Sequence, residues 1–263
     1  MSNVTTGIIR RLETLEHTLQ RTGARDVLQV AIDPMMRLPG IRGIWPMAAC
    51  DSSGNAQDCS GHGHHLGYNG NPVYDYDNLA PYIAFDGTGD YLNRADEADL
   101  DILGTESYVD GTAQGLTLGG WFYPTETATD EGLIGKYNIP GNNGYLIQKL
   151  SVAPDTVRMV VDNAGLVQSG VLYVTLNAWN HVVGKFAPSA ELYVYVNGIQ
   201  SDNGVGIPAA IGNNAIAFEI SGYNNGISQL LTGYASLCFL CAAALSDTCI
   251  QSLFQQQRSL FGV

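Results

Sequence analysis

Residues 180–186 read Asn180-His181-Val182-Val183-Gly184-Lys185-Phe186, and residues 191–198 read Glu191-Leu192-Tyr193-Val194-Tyr195-Val196-Asn197-Gly198. Both runs alternate with period 2, and Leu192, Val194 and Val196 share one face, which is the signature of a strand. Asn197-Gly198 then supplies a two-residue hairpin turn, because both central residues of that turn need φ > 0. Working outward, the same pattern recurs. Leu116–Tyr123 ends at Pro124, and Gly144–Leu150 ends before a Pro154-Asp155 turn. Thr156–Val161 is closed by Asp162-Asn163-Ala164-Gly165, and Ile216–Ile220 and Tyr234–Leu240 complete the set. Many short strands separated by Gly/Asn turns predict an all-β sandwich of antiparallel sheets rather than a parallel α/β sheet.

Helices are expected only at the two ends. Between Thr6 and Ala24, Ile8, Leu12, Leu15 and Leu19 recur at spacings of 4, 3 and 4, a short a/d seam. Thr5 or Thr6 can cap its start and Gly23 can end it. The seam either lies on its own chain or joins identical chains in a small bundle, a trimer being favoured; periodicity does not separate the two. Asp26–Gly43 is a connector, broken at Asp33-Pro34 and Leu38-Pro39-Gly40. At the other end Ser246 is a good N-cap, and Ile250, Leu253, Phe254 and Phe261 fall on one face. The expected organisation is a helical docking or oligomerisation segment with its connector over 1–43, then a β body over 44–263.

Composition narrows the function. The chain has 263 residues, with 12 Lys plus Arg against 25 Asp plus Glu, a net charge of −13. That acidity argues against nucleic acid, which demands a Lys/Arg patch. No apolar run approaches the roughly 20 residues of a membrane span. The N-terminus lacks the apolar core of a secretory signal. The five Cys are an odd number, so a fully paired framework within one chain is excluded, although Cys50 and Cys59 flank a loop and are candidates for pairing.

Several stretches resemble laminin G-like domains of the concanavalin A-like lectin/glucanase group. Phe85-Asp86-Gly87-Thr88-Gly89-Asp90-Tyr91-Leu92 is similar to their FDGxGDYL strand–turn–strand. Leu118–Tyr123 is similar to their Trp-bearing central strand, Trp179–Val183 to their WxHVV strand, and Leu192–Gly198 to their LYVNG hairpin. Asp58-Cys59-Ser60-Gly61-His62-Gly63-His64-His65-Leu66 resembles their DxSGNGHHL opening. The resemblance spans about Trp45 to Phe261 and implies a jelly roll of two face-to-face antiparallel sheets. It also implies the possibility of a structural calcium ion near loop aspartates, for which Asp58 and Asp86 are the candidates and Asp51 and Asp90 the reserves; oxygen donors suit that hard cation. Fold alone does not fix an activity.

The residues themselves offer few catalytic patterns. The paired carboxylates that glycoside hydrolysis needs have no Glu-x-Asp-x-x-Glu motif here. Asp96-Glu97-Ala98-Asp99-Leu100-Asp101 reads as a solvated acidic loop. Cys59, His62, His64 and His65 cannot all converge on one zinc ion without strain, and Cys238 and Cys241 point to opposite faces of their strand. For glycan contact the best surface is Tyr68, Tyr74, Tyr76 and Asn78, with Tyr82 nearby, since a tyrosine offers an apolar face with a polar edge. Tyr193 and Tyr195 form a second stripe, while Trp121 and Trp179 read as core. These features predict a non-enzymatic surface protein: a virion (phage) decoration or fibre-like protein, homo-oligomeric and bound to other virion proteins, that takes glycans. The alternatives are a bacterial calcium-dependent adhesin or lectin and, last, a glycoside hydrolase.

Overall fold

The Asn197-Gly198 turn closes with φ of 51° and 79° at its two central residues, the conformation its hairpin requires. The computed structural model describes residues 28–48, 53–77, 80–106, 113–139, 141, 143–226 and 229–263. The Ile8, Leu12, Leu15 and Leu19 seam, Cys50, Asp51 and Asn78 lie outside them.

The strands in chain order are β1 (Ile41–Trp45), β2 (Gly67–Asn69), β3 (Val73–Asp77), β4 (Ala80–Asp86), β5 (Tyr91–Arg94), β6 (Leu116–Pro124), β7 (Glu131–Asn138) and β8 (Asn143–Leu150). There follow β9 (Thr156–Asn163), β10 (Leu166–Gln168), β11 (Leu172–Tyr173), β12 (Asn180–Ala187), β13 (Glu191–Val196), β14 (Ile199–Gln200), β15 (Phe218–Ile220) and β16 (Thr232–Cys241). They form two antiparallel sheets. The first runs β14-β13-β12-β6-β16-β4-β3 with β1 also on β16; the second runs β10-β9-β8-β7-β15-β5-β2 with β11 also on β9. Strands of every expected run are present, and the jelly-roll sandwich stands. Chain-adjacent β2–β3 and β4–β5 lie in different sheets, so the turns at residues 70–72 and 87–90 carry the chain across the sandwich.

Two cores result. Between the sheets, Leu92, Leu118, Phe122, Ile147, Met159, Val194 and Phe218 pack together, and Trp45 stacks on Phe218 at 5.0 Å. The second core lies on the outer face of the first sheet. There α1 (Asp247–Gln257) packs Ile250, Leu253 and Phe254 against Trp121, Val183, Tyr195 and Phe239. Ser246 caps α1 by accepting the Cys249 N–H, as its position predicts. Connector residues Ala31, Ile32, Met35 and Leu38 are buried in this same layer. Side chains this completely buried contribute about 1.5–3 kcal/mol each, which holds the helix on the sheet.

A β-bulge in β16 sets which residues enter which core. Ala235 faces the inter-sheet core, and strict alternation would place Leu237 and Phe239 beside it. The register shifts between Ser236 and Phe239, with Leu237 at φ 43°. That extra residue reverses the phase. Cys238 and Leu240 therefore enter the inter-sheet core, while Leu237, Phe239 and Cys241 face α1. Cys59, Cys238, Cys241 and Cys249 are free thiols.

Candidate functional site

The loop 58–65 is built around one buried carboxylate. Asp58 Oδ1 accepts the N–H groups of Ile44 (2.9 Å) and Ser60 (2.8 Å), and Oδ2 accepts the Ser60 hydroxyl (2.8 Å) and the His64 N–H (3.0 Å). Four donors thus occupy both oxygens. The Trp45 indole N–H donates to the His64 carbonyl at 2.7 Å, and the Asp58 N–H donates to His65 Nδ1 at 3.0 Å. Gly61 and Gly63 take φ of 93° and 80°, which turns the chain so that the His62 and His64 rings stack 5.9 Å apart at 15°.

The acidic stretch 96–101 does not read as a solvated loop once folded. A 3-10 turn at Ala98–Leu100 buries Leu100, whose carbonyl accepts the Tyr145 hydroxyl at 2.8 Å. Asp96 and Asp101 both pair with the buried Lys136 ammonium, at 2.9 and 2.7 Å. Asp99 Oδ2 lies 2.9 Å from His64 Nε2 and 3.1 Å from His62 Nδ1, and Asp99 Oδ1 lies 2.9 Å from Arg42 Nε. Glu97 Oε2 lies 2.9 Å from His64 Nδ1, and Glu97 also pairs with Arg94. Partial burial works to raise the Asp99 pKa, but the His64 hydrogen bond, with the charges of Arg42, His62 and His64, outweighs it and holds the carboxyl below its usual range. The run of alternating acids in 96–101 was the available signal; its complement, His62, His64, Arg42 and Lys136, is far away in sequence.

The other predicted residues fall as follows. Asp86 is exposed and its Oδ1 accepts the Thr88 N–H at 2.7 Å, while the buried Asp90 accepts the N–H groups of Asn71 (2.7 Å) and Asp86 (3.3 Å). Among the described residues, the His, Cys, Asp and Glu side chains that converge in a group suited to a metal ion are His62, His64 and Asp99. Asp58 and Asp86 do not join such a group. Tyr68, on β2, and Tyr74, on β3, are half-buried on the inter-sheet core. Tyr74 donates its hydroxyl to the Ala48 carbonyl at 2.8 Å and braces Tyr76 edge-on at 5.2 Å. Tyr76 is 50% exposed. Tyr82 sits on the other face of the first sheet, 4.7 Å from Tyr234, and so does not join these three. The Tyr193–Tyr195 stripe is not an open surface: α1 covers Tyr195, whose hydroxyl donates to Asp247 Oδ1 at 2.7 Å. Trp121 and Trp179 are core, but in the layer beneath α1.

Two further carboxylates have environments suited to proton chemistry but no access to solvent. Burial pushes Glu131 up to about 7, against the Thr232 N–H bond and the Lys149 charge, which lower it. Burial likewise pushes Glu219 up to about 7, against its bonds from the Gly226 and Asn225 amides. Both side chains are sealed in the second sheet and fasten the segment between β15 and β16, through Thr232 and Gly226.

A laminin G family model described as the concanavalin A-like lectin/glucanases superfamily matches residues 86–249. The chain belongs to that superfamily. Among solved structures, it is similar to the binding domain of Paraclostridial Mosquitocidal Protein 1 (TM-score 0.62, 13% identity, 82% of this chain and 52% of that one). It is similar to the botulinum neurotoxin type G receptor binding domain (TM-score 0.59, 11% identity, 84% and 52%). It is also similar to domain 4 of AbnA, a GH43 extracellular arabinanase from Geobacillus stearothermophilus, solved with arabinotriose (TM-score 0.56, 14% identity, 82% and 98%). The chain thus spans about half of each toxin domain and nearly all of the arabinanase domain. Comparison with curated proteins gives no match. Among the described residues no helix is long and apolar enough to cross a membrane.

Proposed function

We propose that this chain is a non-catalytic recognition module that grips glycans and is held on a surface assembly by residues 1–43, in the manner of a phage decoration or fibre-like protein. The observation that carries the glycan reading is Tyr76. Its ring is half exposed and fixed by Tyr74 on an edge strand. A rigid, half-exposed aromatic with a polar edge is a surface a sugar ring stacks on. The space beneath Lys136 and Tyr145 is about 10 Å³, room for a water rather than a sugar, and the larger depression of about 350 Å³ lies between Leu38 and α1, away from Tyr76. The related folds include a toxin receptor-binding domain and a domain crystallised with an arabinose oligosaccharide, which suits the same reading. The anchoring role rests on the Ile8, Leu12, Leu15 and Leu19 seam, and a trimer fits its heptad spacing.

The test is a glycan array probed with the intact chain, arabinan oligosaccharides included, with and without calcium. Saturable binding to a defined glycan class supports the reading, and calcium dependence would favour the adhesin-like version. A flat array overturns the glycan part.

A further inference from the structure

We propose that His62, His64 and Asp99 form a binding site for a borderline divalent metal ion, zinc above all. The site is independent of glycan recognition and uses none of its residues. His62 Nδ1, His64 Nε2 and an Asp99 carboxylate oxygen lie within 4.8 Å of one another. Asp99 Oδ2 stands 3.1 and 2.9 Å from the two ring nitrogens. Ligand atoms around a tetrahedral zinc ion, each bound at about 2.0–2.1 Å, are separated by about 3.3 Å, so the two Asp99 contacts are already within a few tenths of an ångström of that spacing.

The surroundings are those of a metal site rather than a chance salt bridge. His64 is only 4% exposed and its backbone is locked through Asp58 and Trp45. Its Nδ1 faces Glu97 Oε2 at 2.9 Å. That approach lies outside hydrogen-bonding geometry, so Glu97 places a negative charge beside the ring without fixing its tautomer. Arg42 Nε holds the second oxygen of Asp99 at 2.9 Å, which leaves Oδ2 to point at the two rings. Without an ion, two ring nitrogens meet one carboxylate oxygen, and each contact needs its own proton. A divalent ion bound to the unprotonated face of each ring, the ring proton moving to the other nitrogen, satisfies all three ligand atoms together. Two imidazoles with one carboxylate suit zinc and its transition-metal neighbours and disfavour calcium and magnesium, which prefer oxygen alone. Three protein ligands leave a position for water, on the side where His62 reaches solvent. The ion would clamp the 58–65 loop to the 96–101 loop, at the junction of β1, β2 and β5.

The experiment is calorimetric titration of the chelator-treated full chain with zinc chloride, repeated with calcium, and paired with a cobalt(II) absorption spectrum. We expect one zinc per chain, a higher melting temperature with zinc, no response to calcium, and a cobalt spectrum without thiolate charge transfer. Loss of a first ligand in His62→Ala or Asp99→Asn should weaken binding more than about 100-fold. His62 is on the surface and Asp99→Asn preserves shape, so circular dichroism confirms that both variants fold. The proposal is overturned by the absence of saturable zinc binding, by affinity unchanged in His62→Ala and Asp99→Asn, or by thiolate bands that place the ion at the cysteines.

Discussion

The Trp121 indole N–H donates to Gln257 Oε1 at 2.9 Å, and the Gln257 amide donates in turn to the Ala31 carbonyl at 3.2 Å. One glutamine at the last turn of α1 therefore ties the central strand of the first sheet to the connector that precedes β1. All three groups are buried, so nothing in solvent can replace either bond. Gln257→Leu should cost about 1–3 kcal/mol for each polar group left unpaired. Chemical denaturation measures the loss, and limited proteolysis should show earlier cutting in residues 28–38. A variant as stable as the parent would mean that the two bonds contribute nothing net.

His181 makes stability fall in acid. Its ring lies between Trp121 and Phe254, fully buried, and among the described residues neither ring nitrogen has a hydrogen-bond partner. Burial lowers its pKa from 6.5 to about 3. Over that interval the unfolded chain binds a proton that the folded chain does not. The stabilisation is complete above pH 6.5 and is lost as pH falls toward 3, at up to about 1.4 kcal/mol per pH unit. Urea denaturation from pH 7 to 4 should show a smaller loss in His181→Phe than in the parent; parallel curves would refute the assignment.

Glu219 acts with the opposite sign. Its pKa is raised from 4.5 to about 7, so its contribution is complete below pH 4.5 and is lost as pH rises through 7. Glu219→Gln keeps an acceptor for the Gly226 N–H and carries no charge. Relative to the parent, it should gain about 2–3 kcal/mol between pH 5 and pH 9, read as the change in denaturation midpoint. A pH-independent difference between the two proteins would show that Glu219 ionises freely.

On the proposed glycan reading, Tyr76→Ala should weaken binding of the best array glycan at least about tenfold while leaving the melting temperature unchanged, because half of the ring is in solvent. Equal affinity in the variant would move the contact surface elsewhere.

Leu12→Asp with Leu15→Asp should abolish self-association or docking and leave the β body folded, since charges on an a/d seam cannot be buried without partners. Light scattering and circular dichroism read the two effects, and an unchanged mass in solution would remove the anchoring role.

The periodicity of 180–196, the Asn197-Gly198 turn and the Ser246 cap determined by themselves that the chain is a β sandwich closed by a short helix, because those signals act within a few residues of backbone. Alternation also assigned Tyr193 and Tyr195 to the face opposite Leu192 and Val194. It did not say what covers that face, and only the packing of α1 made Tyr195 a buried residue bound to Asp247. The phase reversal at Leu237 likewise needed the register against β6. The meeting of His62 and His64 with Asp99, more than thirty residues along the chain, was decided by the tertiary structure alone: strand pairing of β2 with β5 brings their flanking loops together, and short-range spacing carries no record of a contact made across a sheet.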